Sequence, residues 1–221
     1  MTNNEKIIRT PIAGTNAELV TVPAFEELSD KRNMAIRLAC IDGLTNQKLA
    51  GRLNRRYAQQ ANSRYVDYLN RLDQGTEHIT YLSDYSLKTN NGITAAIEHS
   101  TFVAEASGIQ QLEYDNIDTR NECYLTLAGL FKNNSYIRQI NAEIKRQMAD
   151  QTAKDNSKIY FPEESGFKTI APDQAFYISN NHHLIIVFDE YTIAPGSMGT
   201  PEFTIPTATI SRILASNCYI R

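Results

Sequence analysis

The side chains that could do chemistry are few and badly placed for doing it together. Four histidines occur, His78, His99, His182 and His183. A shared metal needs ligands that converge, and neighbours along a strand point to opposite faces, so His182 and His183 do not make one site between them. They read as polar turn residues. His99, on an otherwise apolar strand face, reads as a satisfied, partly buried side chain. The three cysteines, Cys40, Cys123 and Cys218, stand far apart without a CxxC. That is neither a disulfide framework nor a zinc knuckle. Free thiols are expected, with one disulfide plus a spare as the alternative.

Carboxylate pairs are present as Glu26-Glu27, Asp115 with Asp118, Glu163-Glu164 and Asp189-Glu190. Glycoside hydrolysis needs two carboxyls facing each other across a cleft, ~5–10 Å apart. Neighbours along a strand do not supply that. No GxSxG, P-loop, strand-to-helix GxGxxG or HExxH occurs. Gly196-Ser197-Met198-Gly199 lacks the lysine and the following helix of a phosphate cradle and reads as a tight loop. The expectation is a protein that is not an enzyme and carries no metal or cofactor. A cell-wall hydrolase working through unrecognised carboxylates stands as the least favoured alternative.

The scaffold that must hold these residues is ordinary in composition. The chain has 221 residues, 42% hydrophobic and 21% charged, with a formal charge of −3. That length suits one large domain or two small ones. A nucleic-acid partner is not expected, because such binders are more basic. The longest apolar run, Leu184-Ile185-Ile186-Val187-Phe188, has five residues, against ~20 for a membrane-spanning helix. Met1–Lys6 is polar with no apolar stretch behind it, so no signal peptide is expected. The chain reads either as cytosolic or as the excised soluble part of something longer, and its compartment stays open.

Periodicity gives the elements. Ile7 to Phe25 reads as extended, broken by Pro11, Gly14 and Pro23. Met34, Ile36, Leu38 and Cys40 alternate with Ala35, Arg37 and Ala39, which predicts a strand. A helix from Thr45 or Asn46 to about Leu72 carries Leu49, Leu53, Tyr57, Ala61, Tyr65, Tyr68, Leu69 and Leu72 on one face. Arg52, Arg55, Arg56, Arg64 and Arg71 lie mostly off it and read as a solvated face. Two strands around Ile79–Leu87 and Ile93–Val103 join through Asn90-Asn91-Gly92, a hairpin signal. A further strand lies near Gln110–Ile117, followed by a turn at Asp118-Thr119-Arg120-Asn121. A second helix starts at Asn134 or Ser135 and buries Ile137, Ile140, Ile144 and Met148, with a loop from Asp150 to Lys158. Ala175–Ser179 and Leu184–Ile193 predict a second hairpin. Pro206 opens a last short helix through Leu214. Twice a long helix accompanies an antiparallel hairpin, so the fold class expected is α+β rather than repeated βαβ units. It would consist of antiparallel sheets or hairpins packed by two long helices.

The C-terminal stretch is the most distinctive. Phe176-Tyr177-Ile178-Ser179 and Leu184–Phe188 lead into Tyr191-Thr192-Ile193-Ala194-Pro195-Gly196, then Gly199-Thr200-Pro201-Glu202-Phe203-Thr204-Ile205-Pro206. This resembles the RsiV-like domain, the extracytoplasmic C-terminal part of the anti-sigma factor RsiV and of related envelope proteins. The upstream part is similar to the domain that usually precedes it, also found at the N-terminus of the peptidoglycan deacetylase PdaC. There the matching pieces are Ile41-Asp42-Gly43-Leu44 with the helix to Leu72, Tyr114–Asp118, and Leu127–Phe131. Together the two resemblances run from about Ala35 to Leu214. They imply a PdaC-type domain over residues 1–120, an RsiV-like domain over residues 121–221, and an RsiV-ectodomain-like fold.

They also imply a function, a non-catalytic binding or sensor domain whose partner is lysozyme, as for RsiV, or a cell-wall glycan. A stand-alone intracellular member of the family, of unknown ligand, is the alternative. The family often has Gly-Ala-His-Gly after the second strand, where this chain has Glu105-Ala106-Ser107-Gly108, so a role for that histidine does not carry over. The anti-sigma segment and membrane helix that precede this region in RsiV have no counterpart here, so this stretch by itself is not expected to sequester a sigma factor. The deacetylase domain of PdaC has no counterpart either.

Beside the resemblance stands a physical reading. Pro195, Pro201 and Pro206 fix φ, and Gly196 and Gly199 permit sharp turns. The loop between strand and closing helix is then rigid, which suits recognition because little entropy is lost on binding. The alternative is that the segment serves to bury Phe203 and Ile205. Tyr191, Pro195, Gly196, Met198, Gly199, Pro201 and Glu202 are the expected binding residues, with Tyr191 and Met198 as anchors.

Overall fold

Side-chain alternation and turn chemistry place most of the first half in strands. A computed structural model describes residues 7–221; the reading of Met1–Lys6 falls outside them. The strands β1 (Ile8–Pro11), β2 (Glu18–Leu28) and β3 (Arg32–Asp42) form a meander. Gly43, at φ +89°, turns the chain, and its hydrogen faces the Asn16 carbonyl at a distance no side chain would tolerate. Asn46 then caps helix α1 (Gln47–Asp73), its side-chain oxygen accepting from Leu49 N at 3.1 Å.

After α1 come β4 (Ile79–Asn90), β5 (Thr94–Ala104), β6 (Gly108–Asp118) and the short β7 (Cys123–Leu125). All seven strands form one sheet in chain order. The β4–β5 turn is the expected one: Gly92 takes φ +78° and Asn91 Oδ1 accepts from the Ile93 and Thr94 amides. One pairing departs from the expected hairpins. β3 and β4 are parallel, so β3, α1 and β4 make one helical crossover, the connection that parallel neighbours require.

The second half builds helix α2 (Ser135–Lys154) and a three-stranded antiparallel sheet of β8 (Phe176–Ile178), β9 (Leu184–Val187) and β10 (Glu202–Ile205), with β9 in the centre. A one-turn helix, α3 (Thr207–Ile210), follows Pro206. Over the described residues the class is α+β, with a large, mainly antiparallel sheet and three α-helices. No helix of the described residues is long and apolar enough to cross a membrane.

The layers follow from which face each strand makes apolar. α1 lies on one face of the large sheet. Leu49, Leu53 and Tyr57 meet Ile41, Tyr85, Ala95, Ile97 and Ile117, while Ala61 and Tyr68 meet Met34, Ile36, Ile79 and Tyr81. On the opposite face, Ala96, Leu112 and Tyr114 pack against Tyr177, Ile185 and Val187 of the small sheet. The far side of the small sheet, including Ile178, Leu184, Ile186, Phe203 and Ile205, packs on Ile140 and Ile144 of α2. Each fully buried Ile, Leu or Phe of these layers contributes about 1.5–3 kcal/mol relative to exposure. Side chains also stitch the sheets together: Thr89 Oγ1 donates to Ile178 O at 2.6 Å and Asn116 Nδ2 to Phe176 O at 2.8 Å, covering the free carbonyls of edge strand β8.

Some expectations shift. In β3 the buried set is Met34, Ile36, Ala39 and Ile41, with Cys40 half-exposed. The phase changes where β3 parts from β4 after Ile36, and opposite it β2 carries an irregularity between Pro23 and Phe25. Asn54 of α1 then takes both backbone groups of Ile41. Leu69 is 40% exposed, since Tyr68 fills the facing position. α2 runs on through Gln151 to Lys154 instead of giving way to loop at Asp150. β9 ends at Val187, and Glu202–Ile205 is a third strand rather than part of the loop.

Candidate functional site

The segment between β9 and β10 is a closed loop. Phe188 N donates to Pro201 O at 3.0 Å, bringing its two ends together. At its start, Asp189 O accepts from Thr192 N, and Tyr191 turns the chain at φ +62°. Ile193 and Ala194 are buried, and Ile193 O accepts from Phe161 N at 2.9 Å. Pro195 then starts a single 3-10 turn over Gly196–Met198, ended by Gly199 at φ +61°.

This geometry sorts the seven expected binding residues. Tyr191 is 50% exposed, with its ring lying over Gly196. Pro195, Gly196 and Gly199 are half-buried and shape the turn. Met198 turns partly inward onto the core around α2, and Pro201 is buried at the neck. Glu202 is at the start of β10, where it accepts from Tyr177 Oη at 2.8 Å and pairs with Lys88 at 3.4 Å. Tyr191 is thus the side chain offered outward, and the other six hold the loop that presents it.

Two carboxylates dock this loop on the large sheet. Leu112 N donates to Asp189 Oδ1 at 3.1 Å, and Gln110 N donates to Glu190 Oε2 at 3.0 Å. Burial pushes the Asp189 carboxyl up from the ordinary range. The docking sets the loop tip beside the β5–β6 hairpin, whose Ile109 is 45% exposed. The turn of that hairpin is Glu105-Ala106-Ser107-Gly108. Glu105 accepts from Arg71 Nη1 at 2.8 Å. Gly108 lies under the Phe102 ring, where a Cβ would sit 2.6 Å from Cε2. Nothing in the sequence showed that Asp189 and Glu190 would find amides about eighty positions away.

The arginines of α1 are not a solvated face throughout. Arg56 Nη1 donates to Asp115 Oδ1 at 2.7 Å and Arg64 Nη2 to Glu113 Oε1 at 2.7 Å. Gln60 Nε2 adds a bond to Glu113 at 2.9 Å, and Tyr124 Oη one to Asp115 at 2.8 Å. The helix lies across strands whose facing residues become polar at this end, and its arginines turn inward to meet them. His99 belongs to this cluster, stacked on Tyr85 with ring centroids 4.3 Å apart and its Nε2 2.8 Å from Ser83 Oγ. Burial lowers its pKa to about 4, against a partial pull upward from Glu113, so it is neutral at pH 7.

The remaining candidates stay local. His182 sits in the β8–β9 turn at φ +62°. Asp118 accepts from the Arg120 and Asn121 amides and from Tyr219 Oη. Glu163 pairs with Lys145. Among the described residues, no group of three or more His, Cys, Asp or Glu is placed to hold a metal ion. A cleft of about 910 Å³, which no sequence motif marks, lies between β6, the chain after β7 and the segment Glu164–Ala175. Arg56, Glu113, Tyr124, Lys168, Asp173 and Asp189 contribute to its walls.

Residues 128–208 match a family model described as "Protein of unknown function (DUF3298)". Over 217 residues the chain is 36% identical to the anti-sigma-V factor RsiV of Bacillus subtilis (strain 168), an alignment covering 96% of this chain and 76% of that protein. Two crystal structures share the fold. A DUF3298 family member from Bacteroides fragilis superposes with a TM-score of 0.65 at 16% identity, over 93% of this chain and 96% of that one. A DUF3298 family protein from Pseudomonas aeruginosa PAO1 superposes with a TM-score of 0.65 at 13% identity, over 99% and 98%.

Proposed function

The chain belongs to the RsiV-like domain family, and from that premise we propose that it is a non-catalytic recognition domain whose partner is an envelope component, lysozyme first and cell-wall glycan second. Kinship with an anti-sigma factor supports sensing rather than turnover. In this reading the two halves, residues 1–120 and 121–221, carry one long helix each on the RsiV-ectodomain plan, and the partner meets the surface where they join.

The observation that carries the proposal is the bond from Gln110 N to Glu190 Oε2. It fixes the start of the β9–β10 loop against the edge of β6, so that Tyr191, 50% exposed, is held at the surface next to that tether. An exposed aromatic side chain on a rigid turn is of the kind enriched at interface centres. The prolines and the closed neck keep the ordering cost of binding low. Tyr191 meets the partner, and Pro195, Gly196, Met198, Gly199, Pro201 and Glu202 hold the loop that presents it.

The test is to incubate the protein separately with lysozyme and with insoluble peptidoglycan, scoring both capture and release of soluble sugar fragments. Capture of one of the two without release is expected. Steady release of fragments by the chain alone would replace this reading with the hydrolase one, and failure to capture either would remove the envelope partner.

A further inference from the structure

The outer edge of β6 is only partly paired. β5 pairs with it from Gly108 to Asp118, whereas β7 pairs with it from Asn116 to Asp118. Over Gln110–Tyr114 no strand of the described residues lies on that side. Two of the amides there are met by side chains instead, Leu112 N by Asp189 and Gln110 N by Glu190. Each carboxylate oxygen stands where the carbonyl of a neighbouring strand would. An edge left bare would be a template for pairing, and the carboxylates cover it.

The cleft of about 910 Å³ opens along the Leu112–Tyr114 part of this edge, with the irregular segment Glu164–Ala175 in its other wall, and the Gln110 amide with Glu190 lies just beyond its lining. Five residues of β6 offer about 17 Å of backbone, the length of a short strand. The lining is acidic on balance. Arg56 and Glu113 are already joined to each other and Asp189 is engaged at Leu112 N, which leaves Glu164 and Asp173 against the single charge of Lys168.

We propose that this cleft takes an extended polypeptide segment bearing basic side chains, which adds to β6 as a further strand by replacing the Asp189 and Glu190 carboxylates at the Leu112 and Gln110 amides. Main-chain bonds to the edge supply affinity and the acidic walls supply selectivity, as in other cases of strand addition. The exchange costs little at the amides, since each gives up one acceptor for another and the freed carboxylates return to water. It has a consequence for the loop, which loses its two tethers to the large sheet. A segment in the cleft and a partner on the loop are therefore coupled, each altering the affinity of the other by the same factor.

The probe is a blocked octapeptide of alternating lysine and valine, with alternating glutamate and valine as the comparison. Affinity is read by fluorescence anisotropy, and the site by amide NMR shifts of Gln110, Leu112 and Tyr114. The lysine peptide is expected to bind the parent, to bind Asp189→Ala/Glu190→Ala about tenfold more tightly, and to move those three amides; the glutamate peptide is expected to do none of this. Should the double variant fail to fold, Glu190→Ala alone bares Gln110 and is expected to gain affinity in the same direction. Equal or weaker binding by the folded variant, indifference to peptide charge, unmoved amides, or no binding to the parent would each overturn the proposal. None of these outcomes bears on capture of lysozyme or peptidoglycan by the parent, which tests the loop.

Discussion

The ring of Tyr191 lies on Gly196 so closely that a methyl group at Gly196 would overlap it. The two residues are on opposite sides of the buried pair Ile193 and Ala194, so their contact folds the loop tip back on itself. Gly196→Ala must therefore push the ring aside. Because what moves is the end of an exposed side chain, the loss of stability should stay below about 1 kcal/mol, while partner binding falls. Thermal unfolding and a binding titration on the same sample check this; a large loss of stability with unchanged affinity would show that the contact only holds the fold.

Gly199 separates backbone strain from contact. It sits at φ +61°, and a Cβ there would meet nothing within 4 Å. Gly199→Ala should destabilise by about 1 kcal/mol through backbone strain alone, measured by urea unfolding. No change would mean that the loop relaxes freely.

The cluster beneath α1 should matter far more than surface ion pairs. Asp115 is 4% exposed and accepts from both Arg56 and Tyr124. Asp115→Ala leaves both donors without their shared acceptor and should cost about 3 kcal/mol. Arg9, which bonds Glu18 and Asp42 at the exposed sheet edge, should cost far less when changed to Ala, because water screens such pairs. Equal losses for the two in urea would contradict this assignment.

Acid stability should depend on His99. Its folded pKa, lowered to about 4 by burial, lies below the value of about 6.5 in an unfolded chain. Between those values the unfolded state binds more protons, so stability is full above about pH 6.5 and declines as pH falls toward 4, by up to about 3 kcal/mol. Glu113, Arg64 and Arg56 face the ring, and the two arginines reinforce the neutral form. His99→Gln should flatten the dependence of stability on pH across this window; an unchanged slope would place the titrating group elsewhere.

Much of the framework was legible in the sequence because local rules and tertiary packing agree. Asn91-Gly92 forms the expected turn, and Leu49, Leu53, Tyr57 and Tyr68 bury the face that their spacing predicts. The mismatches arise where tertiary context decides. Arg56 and Arg64 look like surface residues until Glu113 and Asp115 arrive from about fifty positions away. The parallel β3–β4 pair was hidden because strand direction is a property of the assembled sheet. At the candidate site, proline and glycine spacing disclosed a shaped loop, and Tyr191 is its exposed tip. Met198 pointed the wrong way for an anchor, since apolar character alone does not tell an interface residue from one packed on its own core. The cleft and the carboxylate tethers of Asp189 and Glu190 left no local signature.

Whether the loop tip carries recognition is decided by a calorimetric titration of lysozyme into parent, Tyr191→Ala and Arg9→Ala proteins. The parent and Arg9→Ala are expected to bind saturably. Tyr191→Ala is expected to lose about 30-fold, or ~2 kcal/mol, with its melting temperature close to the parent's. Parent-like affinity in a folded Tyr191→Ala protein would contradict recognition by the tip.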